Sequence, residues 1–425
     1  MQLQLLLTGN EIMSGDTVDS NSSMIAQRLA REGYWVNRKV TVGDDIDVLI
    51  DELKTMSLQA DALIVNGGLG PTIDDLTAEA LAKAAGVELE EHRDAREHVL
   101  NWCEARGFKS NKANMKQAIL PAGVNLLPNA VGSAVGFSFT LNNCLIMCTP
   151  GVPSELRAML EDGIVPALNA ALPAGNKPEI RRYQTFGLGE SGAQQMLVDA
   201  YPDWPDDIEI GFRAGAPLLE MKLRIEPGCP DSKRDHWEQK FLDVLGDYVI
   251  GRDDTNLAST VLSLLKDQNK KIALAESCTG GLISSMITSI PGSSSAFEAG
   301  IVSYSNGIKE SQLGVARSTL DEHGAVSEQC VLEMAAGACS LSNADYAIAV
   351  SGIAGPDGGS EEKPVGTVWV AWGPREALQA RQFYYPLYRS LFQTIIAALA
   401  LDLTRRSLLG LDGEPAYYHR KVKQS

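Results

Sequence analysis

Histidine is scarce in this chain, with five in 425 residues. His323, in Asp321-Glu322-His323-Gly324, reads as an exposed helix end, and no His–Asp partnership is visible, which argues against a histidine-based hydrolase. Cysteine is present but unspaced: Cys103, Cys144, Cys148, Cys229, Cys278, Cys330 and Cys339 form no CxxC pair. An odd, scattered set fits free thiols in a reducing compartment rather than a disulfide framework. Cys144 and Cys148 lie in the apolar run Cys-Leu-Ile-Met-Cys, which reads as a buried strand and not a zinc site. Basic residues are in the minority, giving a formal charge of −17. That balance repels nucleic acid and anionic membranes. No useful Lys/Arg cluster precedes His419-Arg420-Lys421-Val422-Lys423, which reads as a solvated end. No apolar run reaches spanning length. The opening residues, Met1-Gln2-Leu3-Gln4-Leu5-Leu6-Leu7-Thr8, lack a basic n-region and read as a buried first strand, so the expected location is cytoplasmic with no membrane partner.

What is present is a globular composition, 44% hydrophobic and 21% charged, in a chain long enough for two or three domains. Residues 1 to about 170 alternate strands (3–7, 36–42, 61–66) with helices (21–32, 45–56 and one through Leu76, Ala80, Leu81 and Ala84). This rhythm predicts a mostly parallel sheet covered by helices. Pro173-Ala174-Gly175-Asn176-Lys177-Pro178 reads as a linker. Beyond it, strands at 208–212 and 218–225 and a helix at 236–245 predict a small α+β segment. Gly251-Arg252-Asp253-Asp254-Thr255-Asn256 reads as a second boundary. The remainder carries a helix at 257–265, strands at 271–275, 344–350 and 367–372, and an amphipathic closing helix at 391–409. The expected domains are therefore 1–172, 173–251 and 252–410, with a tail at 411–425.

Three loops in the last segment carry chemistry. Ala275-Glu276-Ser277-Cys278-Thr279-Gly280-Gly281 places a serine between an apolar strand and a glycine-led helix, where free backbone N–H groups suit an oxyanion. The second loop is Tyr304-Ser305-Asn306-Gly307-Ile308-Lys309. The third is Ser351-Gly352-Ile353-Ala354-Gly355-Pro356-Asp357-Gly358-Gly359-Ser360, completed by Lys363-Pro364-Val365-Gly366-Thr367. Each follows a predicted strand, so all three can meet at one sheet edge. Ser277 is the candidate nucleophile. Lys309, if desolvated, is the candidate base, and Tyr304 can relay the proton or orient the lysine. N–H groups near Thr279 and Gly280 can hold an oxyanion or a phosphate. Cys278 is the rival nucleophile, with no basic neighbour.

The runs AESCTGG, YSNGIKE and SGIAGPDGGSEEKPVGTVW resemble the nicotinamide-nucleotide amidohydrolase domain over about 257–410. The chain as a whole resembles CinA, the competence/damage-inducible protein family. The resemblance implies an α/β protein: an N-terminal molybdopterin-binding-like parallel-sheet domain, a KH-like α+β middle domain and a C-terminal α/β/α amidohydrolase domain. It implies hydrolysis of the carboxamide of nicotinamide mononucleotide to nicotinate mononucleotide and ammonia. Ser277, Tyr304 and Lys309 would be catalytic, and Thr279, Gly280, Gly281, Ser351, Gly352 and Arg389 would bind substrate. Tyr385-Pro386-Leu387-Tyr388 stands where a glycine/aspartate-rich turn is expected ahead of Arg389. No metal is expected in this half.

Near the front, Gly67-Gly68-Leu69-Gly70-Pro71-Thr72-Ile73-Asp74-Asp75 sits between a strand and a helix, where glycines let a phosphate approach. With Gly9-Asn10-Glu11 and Pro150-Gly151-Val152-Pro153-Ser154-Glu155, it resembles the molybdopterin-binding-like domain that opens CinA proteins. That resemblance implies a pyrophosphatase acting on ADP-ribose with a divalent metal (Mg, Mn or Co). Gly67, Gly68, Gly70 and Thr72 would form the phosphate loop, and Glu11, Asp44, Asp74 and Asp75 would serve as metal or base residues. The family's first loop often reads Gly-Thr-Glu where this chain has Gly9-Asn10-Glu11. Thr185-Phe186-Gly187-Leu188-Gly189-Glu190-Ser191 resembles the KH-like connector but lacks a basic GxxG loop, which favours a spacer or dimer-forming role over nucleic-acid binding. A homodimer is expected. The competing expectation is a molybdopterin-type binding or regulatory protein, linked to competence or DNA damage, with no turnover.

Overall fold

The structure, a computed structural model, describes residues 1–173, 177–411 and 413–419. Residues 174–176 of the predicted linker and 420–423 of the predicted solvated end lie outside the described residues. The chain forms two compact units, Met1–Pro178 and Glu179–Ser425.

In the first unit the strands are β1 (Leu3–Thr8), β2 (Val36–Val42), β3 (Ala62–Asn66), β4 (Leu89–Glu91), β5 (Ile119–Pro121), β6 (Asn125–Leu127), β7 (Gly136–Leu141) and β8 (Cys144–Thr149). Six of them form one sheet in the order β2-β1-β3-β8-β7-β6, and β4 pairs with β5 separately. The first four are mutually parallel; β7 and β6 add an antiparallel edge. All six residues of β1 are buried, because both faces are covered. Leu6 packs with Leu49, Leu53 and Leu81 on one face, while Leu3, Leu5 and Leu7 pack with Ile25, Leu29 and Leu156 on the other. The period-two alternation of strand side chains makes that division.

The second unit holds two sheets. The smaller one, β9 (Glu179–Thr185), β10 (Ile208–Gly215), β11 (Leu218–Ile225) and β12 (Val249–Arg252), is antiparallel in the order β10-β11-β9-β12. It buries Tyr183, Met221 and Leu223 against Leu197 and Phe241 of the helices Glu190–Ala200 and Asp231–Leu245. The larger one comprises β13 (Ile272–Glu276), β14 (Phe297–Val302), β15 (Tyr346–Gly352), β16 (Thr367–Pro374) and β17 (Gln379–Tyr384), ordered β14-β13-β15-β16-β17. The strands β13, β14 and β15 run parallel; β16 and β17 are antiparallel. Helices Leu257–Asp267, Leu282–Thr288 and Arg389–Leu409 cover one face, and Glu328–Ser342 covers the other. This is the expected α/β/α sandwich.

The closing helix departs from the amphipathic expectation. Every residue from Ile396 to Arg406 is buried. Its apparent polar face is neutralised internally. Asp402 accepts from Arg405 Nε (2.7 Å) and from the Tyr417 hydroxyl (2.7 Å), and Arg405 donates to the Asp247 carbonyl (2.6 Å). Contacts of this helix reach back across residue 251, and Tyr417, read as part of the tail, packs in the same core.

A buried ion pair that loses one partner strands a charge. Arg405→Ala should therefore destabilise the second unit by about 3–5 kcal/mol, measured as a lower urea midpoint. Arg317→Ala, whose pair with Asp321 is exposed, should cost under about 1 kcal/mol.

Candidate active site

Because β13, β14 and β15 are parallel, the segments after them emerge at the same sheet edge. Ligands bind at such carboxyl ends in α/β sheets. Ser277 follows β13, Ser303 and Tyr304 follow β14, and Ser351 and Gly352 end β15. The edge opens on a cavity of about 240 Å³ lined by Ser277, Tyr304, Lys309, Ser351, Gly352 and Arg389, among others.

The helix Asn306–Leu313 starts on Ser305, whose hydroxyl accepts from Ile308 N–H, and it turns Lys309 and Leu313 inward at i, i+4 spacing. Lys309 is 1% exposed. Its Nζ lies 3.1 Å from Ser277 Oγ and 2.6 Å from the Ser303 carbonyl. No carboxylate among the described residues pairs with it. Burial pushes its pKa below the ordinary lysine value, because desolvation penalises the charged form. A neutral amine satisfies this geometry. Nζ donates to the Ser303 carbonyl and to Ser277 Oγ, and once neutral it has a lone pair within reach of the same hydroxyl.

The turn after Ser277 is organised from below by Glu276, a fully buried carboxylate that sequence reasoning passed over. It accepts from the N–H groups of Gly281 (3.1 Å), Ile283 (3.0 Å) and Ser284 (2.8 Å), and from the Ser284 hydroxyl (2.7 Å). Gly281 enters the helix at φ +97°, a left-handed conformation suited to glycine. Gly280 N–H is spent on the Ser277 carbonyl. This corrects the expectation that Gly280 offers an oxyanion donor. Among the described residues, Thr279 N–H meets no acceptor, and Cys278 N–H faces only its own thiol. The buried Thr279 Oγ1 and Ser303 Oγ also have no partner there. Gln393, a second residue missed in the sequence, donates to the Cys278 carbonyl at 2.8 Å. An acidic residue directly before the serine and a glutamine four residues after Arg389 were the available signals.

The expected contact between Tyr304 and the lysine is absent. Tyr304 is 62% exposed, and its hydroxyl bonds the Arg389 guanidinium at 3.0 Å. It sits in the open turn beyond β14, while the Ser303 carbonyl orients the amine. Arg389 also donates to the Gly355 carbonyl (3.0 Å), which brings it to the cavity despite the unexpected turn before it. Ser351 is buried and donates to the Ala325 carbonyl. Burial pushes the Cys278 thiol up to about 12, so it is protonated at neutral pH.

In the first unit, Glu11, Asp44, Gly67, Gly68, Gly70, Thr72, Asp74 and Asp75 all line one cleft of about 520 Å³. Gly68 has φ +67°, and a Cβ there would strike the Thr77 hydroxyl. The Asp75 carboxylate accepts from Thr72 N–H and hydroxyl (2.8 and 2.5 Å). Asp44 accepts from the Thr8 hydroxyl (2.7 Å) and Asn10 N–H (3.0 Å). Among the described residues no three His, Cys, Asp or Glu side chains come together as a metal cage.

A serine–lysine pair at the edge of an α/β/α sandwich, in a chain that opens with a parallel-sheet unit carrying a glycine-rich cleft, defines a two-part protein of the competence/damage-inducible class. Residues 254–408 match the family described as CinA C-terminal domain, and residues 4–170 match the probable molybdopterin binding domain. A CinA-like protein of Colwellia psychrerythraea is 50% identical, covering 98% of this chain and 97% of its own. The nicotinamide-nucleotide amidohydrolase PncC of Shewanella oneidensis is 40% identical over 96% of both chains. The chain belongs to the CinA family.

Lys309 gives a pH-dependent signature in stability. Unfolded, it keeps its proton to about pH 10.4; folded, it gives the proton up earlier. Native stability should therefore rise with pH between the two values. Lys309→Met removes that rise, so its stability relative to the native protein should be greatest near neutral pH and decline towards pH 10, as measured by urea unfolding across that range.

Proposed function

We propose that the second unit hydrolyses the carboxamide of nicotinamide mononucleotide. The observation that carries this reading is the buried Lys309 amine on the Ser277 hydroxyl at the wall of the cavity. The name carried by the Shewanella oneidensis relative supports it. Ser277 Oγ attacks the carboxamide carbon as its proton passes to Lys309. The carbonyl electrons move to oxygen, where Thr279 N–H can meet the charge. The C–N bond then breaks, and Lys309 returns the proton to the leaving nitrogen as ammonia departs. Water attacks the acyl-serine and gives a proton to Lys309, which restores Ser277 as nicotinate mononucleotide leaves. Arg389, steadied by Tyr304, is suited to the substrate phosphate at the mouth. A binding protein without turnover has no use for an uncharged lysine held on a serine.

We further propose that the cleft of the first unit splits ADP-ribose with Mg, Mn or Co. Its glycine-rich loop and carboxylates on one wall support this. Asp44 and Asp75 are engaged by their own chain, so the residues do not suit a cage made of protein alone. They fit an ion held by one or two carboxylates, with the exposed Asp74 and Glu11 foremost, and completed by substrate phosphates. Such an ion would offset the charge of the diphosphate. The chain is also proposed to act as a homodimer in the cytoplasm; light scattering near twice 45.7 kDa would support that assembly.

Ammonia release from nicotinamide mononucleotide should fall roughly a thousandfold or more in Ser277→Ala and survive in Cys278→Ala; an active Ser277→Ala protein would falsify the assignment. In the native enzyme kcat/KM should rise with pH up to the depressed Lys309 pKa, since only the neutral amine accepts the proton. For the first unit, Gly68→Ala should abolish metal-dependent AMP formation from ADP-ribose while ammonia release continues. Absence of AMP from the native protein with all three metals removes that activity.

A further inference from the structure

The peptide joining Cys278 to Thr279 is gripped from outside the nucleophile turn. Gln393 Nε2 holds its carbonyl oxygen at 2.8 Å, from the second turn of the closing helix Arg389–Leu409. A trans peptide is planar and directs its C=O and N–H oppositely. Fixing the Cys278 oxygen therefore aims the Thr279 N–H. Glu276 acts from the other side by absorbing the N–H groups of Gly281, Ile283 and Ser284. The positive end of the following helix is thereby spent on a carboxylate, and Gly280 N–H is spent on Ser277.

We propose that Gln393 is a positioning residue for the acyl-transfer step, acting through the Cys278–Thr279 peptide to set the Thr279 N–H as oxyanion donor. The inference rests on the amidase reading above. Gln393 touches neither reacting atom; it fixes the plane that carries the donor. The carbonyl oxygen gains its full charge only when Ser277 Oγ has added and the C=O electrons have moved onto oxygen. A misdirected donor is therefore felt at that point, and in kcat more than in KM.

Gln393→Met keeps the length and removes the donor; Gln393→Lys restores a donor of similar reach. With nicotinamide mononucleotide as substrate, Gln393→Met should lower kcat roughly ten- to a hundredfold, leaving KM within about twofold and thermal unfolding unchanged. Gln393→Lys should recover part of the loss. An aldehyde analogue of the substrate adds reversibly to Ser277 and places an oxyanion at the same donors. Its affinity should weaken in Gln393→Met by the same factor as kcat/KM. Unchanged kcat in Gln393→Met overturns the proposal, as does a raised KM with kcat intact. A Gln393→Lys enzyme no better than Gln393→Met overturns it as well. A native protein that releases no ammonia refutes the amidase reading and this inference with it; an active native protein with an unimpaired Gln393→Met variant refutes this inference alone.

Discussion

A lysine buried without a counter-charge is the feature on which the proposed chemistry of the second unit rests. Lys309 has no carboxylate against it among the described residues; its neighbours are a serine hydroxyl and a backbone carbonyl. Desolvation favours the neutral amine, and in the proposed mechanism a neutral amine activates the adjacent serine. The same arrangement explains why five histidines suffice for the whole chain. Cys278, one residue away, is a poorer candidate because burial raises its thiol pKa.

The fold supplies what this pair needs. Three parallel strands bring their carboxyl ends together, so residues separated by dozens of positions share one edge. The helix Asn306–Leu313 turns the lysine inward, and Glu276 closes off the helix that follows the serine. The result is a turn whose donors are nearly all assigned, leaving Thr279 N–H directed by Gln393. Rigid donors of this kind lower a barrier without reorganising during reaction. On the far side, the Asp402–Arg405–Tyr417 cluster ties the closing helix to the small antiparallel sheet and to the segment after Gly413.

Much of this was legible in the sequence, because apolar runs and glycine-led turns are local signals. The strands from 36 to 42 and from 218 to 225 match the structure to the residue, and the convergence of the Ser277 and Lys309 loops was expected, although the strand 297–302 that delivers Lys309 was not read. What was not legible depended on partners distant in the chain. The closing helix reads as amphipathic because Asp402, Arg405 and Arg406 are charged. Only the contacts with Asp247 and Tyr417 show that this face is buried. Tyr304 was expected to relay the proton or orient the lysine, yet the exposed turn sends its hydroxyl to Arg389, 85 residues on. Glu276 looked like a strand end, and Gln393 like one polar residue on a helix. The strand β7 and its hairpin with β8 were likewise missed, although Asn142 and Asn143, both at positive φ, are the residues a two-residue hairpin asks for.

The central claim is that Lys309 is uncharged at neutral pH in the folded protein. The most direct measurement is the 15N or 13C titration of its side chain by NMR in lysine-labelled protein, assigned by loss of the signal in Lys309→Arg. The account predicts a midpoint well below the ordinary lysine value of about 10.4, with a neutral-amine shift on its alkaline side. A side chain that remains an ammonium up to that ordinary value, with the fold intact, would contradict it.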